Sequence, residues 1–242
     1  MKKDFLIIFG TPHLLTTPGK GAPDGSIREP VYCRERIKSM CEKLRAYGYN
    51  VAIDYEDLNL PEGMRTKDWK LEQNRELSMR VRLVNDLCKT YDCIYVSVHL
   101  NAAGADGKWH GAGGWCAYTS PGKTKADNLA ECLYDAAIPN LREYVDIIST
   151  GKLRGEYTDK QTPIRMDKSD GDRDLEAAFY VLKHTSCPAV LTENLFQDNK
   201  RDVQYLLSDA GQHAIERLHI EGILNYIKKY VPYAVVPQQP TH

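Results

Sequence analysis

The run C-I-Y-V-S-V at residues 93–98 constrains the fold more than any other stretch of the chain. A β-strand sends successive side chains to opposite faces, and this run is apolar on both, apart from one serine. Strands of that kind belong to parallel sheets with helices on either side. Further short runs at 5–9, 51–55, 113–119, 145–149 and 188–191 read as strands. Residues 140–173 are otherwise polar and rich in glycine and charge, so the 145–149 run is the least defined of the set.

Helical patterns lie between these runs. Val31, Ile37, Met40, Cys41 and Leu44 recur at helical spacing from Glu29 or Pro30 to a stop at Gly48. Further patterns cover 71–91, 123–138 and 174–183. Asp198 or Asn199 caps a helix to Leu207, and Ser208 caps the long helix at 210–229. Alternating strands and helices predict a single α/β domain over residues 1–230. Its core is a mostly parallel twisted sheet of about six strands, with helices on both faces. Residues 231–242 contain three prolines and no periodicity, and read as a flexible tail or linker remnant.

The 242 residues carry 32 basic and 33 acidic side chains, for a net charge of -1, and no stretch concentrates basic residues without acids among them. That balance argues against a nucleic-acid partner. No apolar run approaches the ~20 residues of a membrane span. The N-terminal M-K-K-D-F-L-I-I-F-G has an acid at Asp4, a short apolar core and no small-residue cleavage site, so it reads as a buried strand rather than an export signal. The expectation is synthesis in the cytoplasm without a signal peptide. Seven cysteines, an odd number with no C-x-x-C, read as reduced thiols.

In parallel sheets, ligand sites gather beyond the C-terminal strand ends. His13 follows the first strand, His99 the third and Glu193 the run at 188–191, while Glu29 opens the helix that returns beside the first strand. Two imidazoles and a carboxylate suit zinc with one open position, and a further carboxylate suits a general base. Taken singly, each reads as a structural residue: a strand-end histidine with its hydrogen bonds satisfied, a glutamate at a helix start. Rival ligands are His110, in a Gly-rich stretch, and Asp24, before Gly25. Asn101 reads either as a substrate contact or as a turn residue bonding its own backbone. Arg173 suits a substrate carboxylate. Trp109, Trp115 and Tyr118 read as a sugar or peptide platform, or as packing. Neither G-x-G-x-x-G nor a P-loop follows any strand, which argues against a nucleotide site.

His13, Glu29 sixteen positions on, S-V-H-L-N-A at 97–102 and E-N-L-F-Q-D-N-K-R-D at 193–202 together resemble the zinc-dependent N-acetylmuramoyl-L-alanine amidases, the amidase type 3 family of autolysins and phage endolysins. The resemblance runs over residues 4–229. It implies Zn2+ held by His13, Glu29 and His99, and Glu193 as the catalytic carboxylate. It also implies a peptidoglycan muropeptide as substrate and action at the cell wall, outside the membrane. Two departures stand out. The family's usual G-H-G-G is Thr11-Pro12-His13-Leu14 here, and its E-x-G-F is Glu193-Asn194-Leu195-Phe196. Alternatives are a zinc peptidase or carboxypeptidase acting on stem peptides, and a non-catalytic wall-binding module.

Overall fold

The computed structural model describes residues 3–149 and 163–235. Six strands form one sheet: β1 (Phe5–Gly10), β2 (Val51–Ile53), β3 (Asp92–Asn101), β4 (Trp115–Thr119), β5 (Leu175–Glu176) and β6 (Ala189–Phe196). Seven helices accompany them: α1 (Glu29–Ala46), α2 (Trp69–Thr90), α3 (Lys125–Asn140), α4 (Arg142–Ser149), α5 (Tyr180–His184), α6 (Lys200–Leu207) and α7 (Asp209–Tyr230). The order across the sheet is β2-β1-β3-β6-β4-β5. The pairs β1/β2, β1/β3, β3/β6 and β4/β5 are parallel, and β4 runs antiparallel to β6.

Strand alternation divides the core in two. Ile7, Phe9, Ile94, Val96, Val98 and Val190 face α1, α3 and α7, meeting Ile37, Leu44, Leu133 and Ile223. Leu6, Ile8, Cys93, Tyr95, Ala189 and Leu191 face α2 and α5, meeting Val81, Val84, Val181 and Leu182. The chain is thus a doubly covered α/β sheet. All seven cysteines are free thiols, and no described helix is long and apolar enough to cross a membrane.

Local chemistry fixes the helix starts. Asp68 caps α2 by accepting from the amides of Lys70 and Leu71, Asn199 caps α6, and Ser208 caps α7. Thr124 and Asp127 form a reciprocal capping box at α3.

Four local expectations are corrected. Residues 145–149 are helical: Leu141 and Tyr144 are fully buried three residues apart, the spacing of a helix face. The sixth strand is instead the two-residue β5 at the sheet edge, and the helix expected at 174–183 is only α5. β3 and β6 both outrun their apolar cores, so His99 and Glu193 lie within strands rather than after them. Beyond Tyr230, Val231 is buried and residues Pro232–Ala234 form a 3-10 turn, with the Tyr233 hydroxyl donating to Asp92. The folded unit therefore continues past residue 230.

Candidate metal centre

His99 and Glu193 occupy the same register level of the neighbouring parallel strands β3 and β6. They continue the Tyr95/Ala189 and Ser97/Leu191 levels, so both side chains leave the sheet on the α2 face. One level further the register slips: Asn101 pairs with Phe196, and Leu195 takes φ 67°. The extra residue forms a bulge beside the site, a common place for one. Leu195 is fully buried, so its packing holds an unfavourable backbone angle.

Glu29 enters from the first turn of α1 and is fully buried. Its Oε1 lies 3.1 Å from His99 Nδ1, accepts from the amide of Leu100 at 3.2 Å, and lies 3.9 Å from His13 Nε2. The His13 and His99 rings meet edge to face, with centroids 5.3 Å apart. One ligand atom each from His13, Glu29 and His99 lies within 4.8 Å of the others, the one such cluster among the described residues. The cavity over it measures about 290 Å³, and Lys20, Gln73, Leu77, Tyr180, Leu191 and Glu193 line it with the two histidines. A larger cavity, about 460 Å³, opens at the opposite end of the sheet beside Cys93 and Cys187.

Burial drives His13 down to about 3, against the raising pull of Glu29, and holds His99 well below the usual imidazole range. Both rings are therefore neutral at pH 7, the form that ligates metals. Burial, and then the charge of Glu29, raise Glu193 well above the ordinary carboxylate range. Glu29 Oε2 and Glu193 Oε2 are both buried without a hydrogen-bond partner. Two neutral imidazoles, a buried carboxylate and orphaned carboxylate oxygens form a donor set that fits a divalent cation such as zinc.

Residues outside the cluster hold it in place. Ser97 Oγ lies 3.0 Å from His99 Nε2; with Nε2–H donating to the hydroxyl, Nδ1 carries the free lone pair toward Glu29. The loop of His13 is tied at its root, where Asp54 accepts from the amide and hydroxyl of Thr11. The same carboxylate accepts from Arg80 Nε at 2.6 Å and from the Tyr95 hydroxyl at 2.8 Å. Gly10 is obligatory above this network, because an added Cβ would overlap the Tyr95 hydroxyl. Arg34, on α1, donates to the carbonyls of Pro12, His13, Pro30 and Glu56 and to Thr11 Oγ1. It ties the His13 loop to the helix that carries Glu29.

The remaining sequence candidates fall elsewhere. His110 pairs with Asp106 at 2.8 Å, and Asp24 closes a turn by accepting from Ser26. Asn101 Oδ1 accepts from the next amide, Ala102 N, at 2.8 Å, the turn-residue reading. Arg173 is corrected: Glu131 and Asp135, one turn apart on α3, take its guanidinium at 2.7 and 2.6 Å, away from the cavity. Trp115 is fully buried and donates to Asn194 Oδ1, so it packs rather than forming a platform. Arg34 and Lys20 lie in no motif that the sequence could show, and Ser97, though inside S-V-H-L-N-A, gives no sign of its bond to His99. The only signal for Lys20 is a lone cation between two glycines ahead of Glu29.

A doubly covered, mostly parallel sheet with a His–Glu–His cluster and a half-buried carboxylate at its C-terminal edge has the parts of a metal-assisted hydrolase. The chain belongs to the N-acetylmuramoyl-L-alanine amidase family, whose profile, Amidase_3, matches residues 13–225. It is 33% identical over 143 residues to the endolysin of Bacillus phage SPP1, covering 56% of this chain and 42% of that protein. It is 47% identical over 47 residues to the N-acetylmuramoyl-L-alanine amidase CwlM of Bacillus licheniformis, 19% of each chain. It therefore matches less than half the length of either relative. The CwlD amidase of Clostridioides difficile, solved with the GerS lipoprotein, has the same fold: TM-score 0.65 at 22% identity, covering 92% of this chain and 98% of that one.

Proposed function

We propose that this chain hydrolyses the amide between N-acetylmuramic acid and L-alanine in peptidoglycan, using zinc held by His13, Glu29 and His99. The observation that carries the reading is the convergence of these three side chains beside a half-buried carboxylate on the neighbouring strand whose Oε2 is buried without a hydrogen bond. Family membership supplies the bond. The substrate is a muropeptide, and the place of action is the cell wall. The catalytic domain runs through residue 230 and takes in the packed turn at Pro232–Ala234.

Bound zinc supplies Lewis acidity, lowering the pKa of a coordinated water toward ~7 and polarising a carbonyl. Glu193 is the proton carrier: its free Oε2 takes a proton from the attacking water and returns it to the departing amine. Its raised affinity for a proton suits the accepting step, and the lack of any hydrogen bond at Oε2 leaves that atom open. Ser97 holds the His99 ring, and Tyr180 and Val181 of α5 line the cavity above it.

Glu193→Ala tests the assignment. The variant should keep its zinc and lose most turnover of purified cell walls, since a positioned carboxylate contributes ~10²–10⁴-fold. Full activity would refute the role. Product analysis tests the bond: an amidase releases stem peptides with free L-alanine N-termini, and a carboxypeptidase releases single amino acids.

A further inference from the structure

Lys20 sits on a built hairpin. Gly21 bridges Arg28, the amide of Ala22 donates to Ile27 O at 2.9 Å, and Gly19 takes φ +70°. The amide of Glu29 donates to Lys20 O at 3.2 Å, and Gln197 Nε2 donates to Gly19 O at 3.4 Å. The backbone of Lys20 is thus pinned to the residue that opens α1. Its ammonium comes within 3.9 Å of Glu29 Oε2, the oxygen with no hydrogen bond. The side chain stays 26% exposed and lines the same cavity as His13, His99 and Glu193.

Arg80 is the other cation of that wall, but it is buried and three of its five N–H groups go to Asp54, Glu76 and the Tyr95 hydroxyl. Lys20 is therefore the cation of the cavity wall with capacity to meet an incoming anion. Among the described residues its one ion-pair partner, Glu29, is a candidate metal ligand. A dication held by Glu29 would offset that carboxylate's charge, leaving the ammonium, beside Glu193 in the same cavity, with N–H donors free for an anion from outside.

We propose that Lys20 pairs with a carboxylate of the stem peptide next to the scissile amide, and so selects stems whose second residue carries a free carboxylate over stems amidated there. The inference rests on the amidase reading above. Around the scissile bond of such a substrate, the sugar hydroxyls, the acetamido group and the amide itself are neutral. The stem carboxylates are the anions within reach.

The test is steady-state kinetics on two soluble muropeptides that differ only in a carboxylate or a carboxamide at the second stem residue, with the zinc-loaded wild type, Lys20→Met and Lys20→Arg. The wild type should prefer the free acid by about tenfold in kcat/KM, the size of one charge-assisted hydrogen bond, mainly through KM. In Lys20→Met the two substrates should converge, and Lys20→Arg should keep a preference. A wild type without preference, or a Lys20→Met variant that keeps it, overturns the proposal while leaving the amidase reading intact. Release of no L-alanine N-termini from either substrate by the wild type overturns the amidase reading itself, and the proposal with it. Equal zinc content and melting temperature of the three proteins would assign the change to recognition rather than to folding.

Discussion

Replacing Arg34 by methionine should loosen the metal centre without touching a ligand. Arg34 is 5% exposed, and its guanidinium donates at 2.9–3.2 Å to four carbonyls and one hydroxyl. Methionine keeps the apolar stem and supplies no donor. Not every acceptor is stranded. Pro30 O lies one helical turn before Arg34 in α1, and Thr11 Oγ1 still bonds Asp54 and Tyr55 O. The carbonyls of Pro12, His13 and Glu56 remain, and those of His13 and Glu56 are only partly buried, where water replaces much of the loss. A buried acceptor left alone costs about 1–3 kcal/mol. One in full and two in part give a destabilisation of about 3 kcal/mol, or a fall of about 6–12 °C in Tm for a chain of this size. Because Pro12 and His13 lose their anchor, zinc affinity should also fall, by the ~10–100-fold typical of residues that support ligands. Urea unfolding of the metal-free protein and calorimetric zinc titration measure the two effects. A variant within ~1 kcal/mol of wild type that binds zinc as tightly would refute the argument, because it would show these bonds to be replaceable by water.

Gly10→Ala should destabilise the fold by at least ~1–3 kcal/mol in thermal melts, since the new methyl must displace the Tyr95 hydroxyl from Asp54 and Arg80. His219 is fully buried against Thr192 Oγ1 and Ile215 O, and burial lowers it to about 4. The unfolded chain then binds a proton below ~6.5 that the native state refuses, so stability should fall by about 3 kcal/mol between pH 6.5 and 4 and level off below that. Replacing His219 by asparagine should flatten the slope of urea-derived stability against pH by about one proton in that window. Removing zinc with a chelator should abolish wall hydrolysis and lower Tm, by the equivalent of about 2.7 kcal/mol from a metal concentration of 100 times Kd.

The parts of the fold governed by apolar pattern were legible in the sequence. The two-sided run in β3 announced a covered parallel sheet, and the caps at Asn199 and Ser208 lie where their side chains predict. The direction of β4 was not legible, because an apolar run carries no sign. Nor were the true ends of β3 and β6. His99, Thr192, Glu193 and Asn194 look like residues after a strand, yet they are strand positions, all buried but the half-buried Glu193, satisfied by partners from distant segments or left open for the site. His13, Glu29 and His99 could be nominated because each follows or precedes a readable element. Arg173 was misread because the two α3 carboxylates that claim it lie about forty residues away.

The order of the ligands along the chain has a consequence for biosynthesis. His13, Glu29 and His99 all lie within the first 101 residues, with β1, β2 and β3 as the contiguous half of the sheet beneath them. Glu193 arrives on β6, more than ninety residues later. A ribosome therefore delivers all three proposed ligands well before the proposed proton carrier, so on the reading above the emerging chain could take up metal while its turnover is still held down by the ~10²–10⁴-fold that Glu193 supplies.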